Sequence, residues 1–280
     1  MEKLKLVASV QDISCLGKCS LTVALPVISA CGVECSIIPT AVLSTHTGGF
    51  EGFTYCDLTA EMEKIYTHWQ TLPRKFDALY TGFLGKDQID IVCDFFSKFK
   101  TPDNIILVDP AMADNGVMYS IFDEAFARDM KKVCEKADII IPNITEACFL
   151  TGTEYFTDID NKEKIEHLVS KLLEIAPCVV LTGVVASEGM LGACVATRGG
   201  EISYHQNQKI DGHFHGTGDL FASTFLASHL RGKSLASATQ IAVDFVYESI
   251  LETKNQANEA KYGPAFELAI PKLIEMIKKS

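Results

Sequence analysis

Short, unbroken apolar runs alternate with amphipathic stretches along almost the whole chain. "KLVASV" (5–10), "VECSIIPT" (33–40), "DALYTG" (77–82), "NIILVDP" (104–110), "ADIIIPN" (137–143) and "CVVLTG" (178–183) read as strands buried on both faces. Between them lie helical periodicities over 20–31, 87–99, 121–136 and 162–175. Strand, helix, strand in this order predicts an α/β fold: a doubly wound, mostly parallel sheet with helices on both faces. From Met190 to Ile210 the pattern becomes two strands around Arg198-Gly199-Gly200, which predicts a hairpin and a late antiparallel edge. After Gly218 the pattern is helical, with breaks near Gly232 and Gly263-Pro264. No linker, repeat or low-complexity segment interrupts residues 1–280, so the expectation is one domain.

Composition narrows the partners. Hydrophobic residues make up 48% of 280, enough for a substantial core, and the net charge of −11 disfavours nucleic acid and anionic membranes. The first twelve residues lack the long apolar region of a signal peptide, and no apolar stretch reaches bilayer length. The ten cysteines are scattered without a C-x-x-C pair. Reduced, mostly buried thiols in a cytoplasmic protein are therefore expected, although a zinc site from Cys15, Cys19, Cys31 and Cys35 is conceivable.

Candidate chemistry gathers at predicted strand ends, where open parallel sheets collect ligands. Asp109 ends "NIILVD", Asn143 and Glu146 follow "ADIIIP", and Thr182 ends "CVVLT". Each has a structural alternative: a turn, an N-cap, a first-turn acid, a strand end. Their recurrence at equivalent places favours one shared site. "HFHGTGDLFA" (213–222) adds glycines around Thr217 and then Asp219 before an apolar run. That is either a plain helix cap or a helix-start anion site. Two carboxylates beside such a start suggest magnesium and a polyphosphate, with Asp219 as a proton acceptor for an attacking alcohol. "ASHLRGKS" (227–234) is not a P-loop: it begins with Ala227 and follows a helix. "LSTHTGGFEGF" (43–53) pairs hydrogen-bonding and aromatic side chains in a Gly-rich loop, suited to a planar polar ligand. His213 and His215 form an H-x-H pair beside the predicted phosphate site; further ligands for a metal are not found, so the expectation is nucleotide lining or solvent exposure.

Taken in order, "SVQD", "STHTGG", "YTGFLG", "VDPAMADNG", "IPNITEACFLTG" and "DGHFHGTGDLFAS" cover most of the chain and resemble the pyridoxal and pyridoxamine kinases of the ribokinase-like superfamily. The resemblance implies ATP-dependent phosphorylation of the 5′-hydroxymethyl of a vitamin B6 form, with Mg2+ and commonly a monovalent cation such as K+. It makes Asp219 the general base and the Gly216, Thr217 and Gly218 backbone the anion hole. Asp109 and Glu146 would organise magnesium directly or through water. Asn143 and Thr182, with His213 and Phe214, would line the nucleotide. Asp12, His46, Thr47 and Phe83 would face the substrate ring. A homodimer and a short loop over the site are also implied. Two departures fall on the substrate side: Asp12 stands where many relatives have serine, and "CLGKCS" replaces the usual G-Y-V-G-N. Hydroxymethylpyrimidine kinase of the same superfamily, and an inactive ligand-binding homologue, are the alternatives.

Overall fold

The continuous apolar runs do become the middle of a sheet. A computed structural model describes residues 3–256 and 260–279. Its elements begin with β1 (Leu6–Leu16), α1 (Leu21–Ala30), β2 (Glu34–Thr45), β3 (Tyr55–Asp57) and α2 (Thr59–Gln70). They continue with β4 (Ala78–Thr81), α3 (Ile89–Phe99), β5 (Ile105–Val108), β6 (Ala113–Asp114), β7 (Val117–Met118) and α4 (Glu124–Cys134). Next come β8 (Ile139–Ile140), α5 (Ile144–Thr151), α6 (Lys162–Ile175), β9 (Cys178–Val184), β10 (Met190–Thr197) and β11 (Ser203–Gln208). Three helices close the chain: α7 (Thr217–Leu230), α8 (Leu235–Asn255) and α9 (Phe266–Lys279).

The main sheet has the order β11-β10-β9-β8-β5-β4-β1-β2-β3. Neighbours from β9 through β2 run parallel, while β10 and β11 form the antiparallel edge expected from the hairpin signal. At the other edge β3 pairs antiparallel with β2, a feature the sequence pattern does not reveal in a three-residue strand. Strand Val7, Tyr80, Leu107 and Val180 pack with α1, α7, α8 and α9 on one face. Ala8, Leu79, Ile106 and Val179 pack with α2 to α6 on the other. Both faces are covered, which is why these strands read as continuous apolar runs.

Two expectations are adjusted. The first strand runs on to Leu16, because its pairing with β2 continues past Gln11. The predicted helix over 121–136 begins at Glu124, capped by the Asp123 carboxylate, which accepts the Phe126 N–H. All ten cysteines are free, but only five are fully buried; Cys15 and Cys56 are exposed. No helix among the described residues is long and apolar enough to cross a membrane.

Candidate active site

The carboxyl ends of β1, β2, β4, β5, β8 and β9 open onto one cavity of about 810 Å³. The residues expected to bind substrate, nucleotide and magnesium all line it: Asp12, His46, Thr47 and Phe83; Asp109, Asn143, Glu146 and Thr182; His213, Phe214 and Gly216 through Asp219. The sheet brings them together because β1 is a switch point, with β2 on one side and β4 on the other.

The start of α7 forms the cavity wall. Gly216 is its N-cap, at φ 77° and ψ 4°, and no side chain caps the helix. A Cβ there would stand 1.9 Å from the Lys18 carbonyl oxygen, so only glycine fits. The uncapped N–H groups of this first turn, with the macrodipole behind them, make an anion cradle. A Cβ on Gly218 would meet only Asp109 Oδ2, at 3.9 Å. The cradle and that carboxylate therefore face each other across an open gap.

Asn143 and Glu146 fulfil their structural alternatives and still face the cavity. Asn143 Oδ1 accepts the Glu146 N–H at 2.9 Å, and Glu146 Oε2 accepts the Asn143 N–H at 2.9 Å. Glu146 Oε1 also accepts the Met112 N–H at 3.0 Å. This capping box fixes α5 and leaves spare lone pairs on both Glu146 oxygens. Asn143 donates to the Ala113 carbonyl at 2.8 Å, and it bridges in parallel to Thr182.

The carboxylates are crowded. Burial, reinforced by Glu146 and Asp219, holds the Asp109 pKa well above the ordinary carboxylate range. Burial pushes Glu146 up to about 8, against the opposing pull of its backbone donors. Asp219 keeps partial exposure at the cavity wall, yet burial raises it to about 7. The Ser20 N–H works against that rise and the Asp12 charge adds to it. A divalent cation would relieve this repulsion. Two carboxylates plus substrate phosphates are a donor set magnesium accepts, and Asp109 has no side-chain hydrogen bond among the described residues to give up.

On the opposite side three loops meet through rings. His46 Nε2 lies 2.7 Å from the Lys261 carbonyl, and its ring is 5.0 Å from that of His215 and 4.9 Å from Phe50. His213 approaches His215 at 4.7 Å. Burial, then the two neighbouring imidazoles, lowers the His215 pKa to about 4, so this ring is neutral at physiological pH.

Several lining residues escaped the sequence reading. Val243, Val246, Tyr247 and Ile250 of α8 wall the β10–β11 side of the cavity. Their i, i+3, i+4, i+7 spacing is a helix stripe that the sequence alone assigns to core. Ser20 was also missed. It is a non-glycine residue at φ 52°, ψ −128° and only 4% exposed, a conformation that stores strain between Asp12 and Asp219. Glycine or asparagine would have flagged such a turn, but serine does not.

A doubly wound sheet whose crossover helix starts on G-T-G-D, above a carboxylate-lined cleft, defines a ribokinase-like fold. A family model described as phosphomethylpyrimidine kinase matches residues 23–265, and the chain belongs to that family, the part of the ribokinase-like superfamily that also holds the pyridoxal kinases. A Bacteroides thetaiotaomicron structure, provisionally assigned as a phosphomethylpyrimidine kinase and solved with pyridoxal, is 36% identical with a TM-score of 0.91. That match covers 97% of this chain and 96% of the other. Pyridoxal kinase from Lactobacillus plantarum superposes with a TM-score of 0.88 at 26% identity, over 98% of each chain. A Saccharomyces cerevisiae protein provisionally assigned as a pyridoxal kinase is 28% identical over 197 residues, 65% of this chain. The match spans about three fifths of that yeast protein's length (61%).

Proposed function

We propose that the chain is an ATP-dependent kinase that phosphorylates the 5′-hydroxymethyl group of a vitamin B6 form. The observation that carries this reading is Asp219: a carboxylate with its pKa raised to about 7, in the first turn of the helix whose first N–H groups form the anion cradle. A base of that strength can take a proton from an alcohol near neutral pH. The cradle of Gly216, Thr217 and Gly218 then meets the charge on the transferring phosphoryl group. Asn143 and Thr182 orient the phosphate chain, and the α8 wall with Phe214 and His213 encloses the base and ribose. Asp109 and Glu146 would hold magnesium, directly or through water, and the ion would neutralise charge on the phosphates.

An unphosphorylated alcohol fits this site better than the phosphomethylpyrimidine that gives the family its description. An alcohol has a proton to lose to Asp219, whereas an acceptor phosphate would bring a second anion against it. Asp12, Asp109, Asp114, Glu146 and Asp219 line the cavity, and Lys209 is the one lysine among the described lining residues. The resemblance further supports one catalytic domain over residues 1–280, a homodimer and a monovalent cation, and ten free cysteines suit the cytoplasm.

Turnover measured in parallel with pyridoxal, pyridoxine, pyridoxamine, hydroxymethylpyrimidine and its phosphate tests the reading. A B6 form is expected to give the highest kcat/KM. Preference for either pyrimidine overturns the substrate assignment. Binding of a vitamer without ATP consumption makes the protein a non-catalytic homologue.

A further inference from the structure

Asp12 is a buried carboxylate that faces the cavity and has no ion pair with lysine or arginine among the described residues. It is 4% exposed. The Ser14 hydroxyl donates to its Oδ2 at 3.2 Å, and the Ser20 hydroxyl is turned toward it from the start of α1. Among the described residues the basic side chain acting on it is His46, whose own pKa burial lowers. No lysine or arginine is among those groups, and Asp219, whose pKa the Asp12 charge helps to raise, has the same sign. The placement is built into the strand: the register of β1 on β2 shifts between Gln11 and Ile13, with Asp12 at the irregularity. Such breaks re-aim a side chain next to a site. Burial raises the Asp12 pKa, so a carboxylate held this way, with hydroxyl donors on one side and open cavity on the other, is stabilised either by a proton or by a cation that enters the cavity.

Resting on the B6 reading above, we propose that this cation comes from the substrate: Asp12 is a specificity-determining residue that reads a protonated nitrogen. It selects B6 forms over hydroxymethylpyrimidine, whose aminopyrimidine is weakly basic. Two nitrogens offer this chemistry, the 4-aminomethyl ammonium of pyridoxamine and the pyridinium N–H that all vitamers share. The proximity of Asp12 to Asp219 favours the ammonium, which sits on the ring carbon next to the one bearing the reacting hydroxymethyl. The same carboxylate repels a substrate that already carries phosphate.

Calorimetric titration of pyridoxamine and pyridoxine without ATP, on the wild type, Asp12→Asn and Asp12→Ser, separates the possibilities. Loss of one charge-assisted hydrogen bond is expected to weaken pyridoxamine binding about 10- to 100-fold in both variants, with pyridoxine moved far less. Equal weakening of both vitamers assigns the contact to the ring nitrogen and still supports a cation-reading Asp12. Unchanged affinity for both in a folded variant overturns the inference. Failure of the wild type to bind any vitamer overturns the B6 reading itself, and this inference with it.

Discussion

At the scale of single residues, the start of α7 separates a helix cap from a catalytic site. Asp219 has its pKa raised by burial to about 7, so the free protein loses its base as pH falls through that value. The acid limb of kcat/KM is therefore expected near pH 7, and Asp219→Asn, which keeps the size of the side chain, should remove it. That variant should lose about 10²–10⁴-fold in kcat with little change in thermal midpoint. Near-normal turnover would reduce Asp219 to a first-turn acid. The two flanking glycines should differ. Gly216→Ala places a methyl 1.9 Å from the Lys18 carbonyl at positive φ, so poor folding is expected. Gly218→Ala has room in the free protein and should fold normally, with weaker nucleotide binding and slower turnover as the methyl enters the gap facing Asp109. A thermal melt and a nucleotide titration on each variant check this contrast.

The element that best joins structure and chemistry is the start of α5. Asn143 and Glu146 make its capping box and both line the cavity, so the structural role of "PNITE" does not take these residues away from the site. Glu146→Gln turns one acceptor into an NH₂ group that faces a backbone N–H. We expect a stability loss of about 1–3 kcal/mol together with a raised magnesium requirement. Asp109→Asn, with no such bond to lose, should raise the magnesium requirement without lowering the melting temperature. Equal magnesium dependence in both variants and the wild type would remove the pair from the ion site. The β10–β11 hairpin shows the other side of legibility. Its turn was plain from Arg198-Gly199-Gly200, but that its strands and α8 close the cavity follows from packing between distant segments.

Across the whole molecule, the cavity carboxylates make stability depend on pH. Asp109, Glu146 and Asp219 all have folded pKa values above their unfolded ones. The folded state thus binds protons more tightly than the unfolded chain, and the stability this confers is present below pH 4 and lost as pH rises through about 7 to 8. The free protein should melt higher at pH 5.5 than at pH 8.5, and magnesium with nucleotide should recover part of the difference. The net charge of −11 pushes the same way, so Asp109→Asn is the control: it should flatten the slope. An unchanged slope would place the effect on the surface.

The sequence by itself determined the alternation of strands and helices, the antiparallel hairpin, and a set of polar residues at strand ends and at one glycine-rich helix start. These signals are local, because hydrophobic period, capping residues and turn glycines act within a few positions along the chain. Tertiary structure decided the rest. It added β3 at the open edge, turned the α8 stripe into a cavity wall and bent Asp12 out of register. It also set Asp12 near Asp219, about two hundred positions away in the chain. Whether a carboxylate is an ordinary surface acid or a base with its pKa near 7 depends on what removes water from it. In this protein that is protein brought in from distant parts of the chain, which no local pattern records.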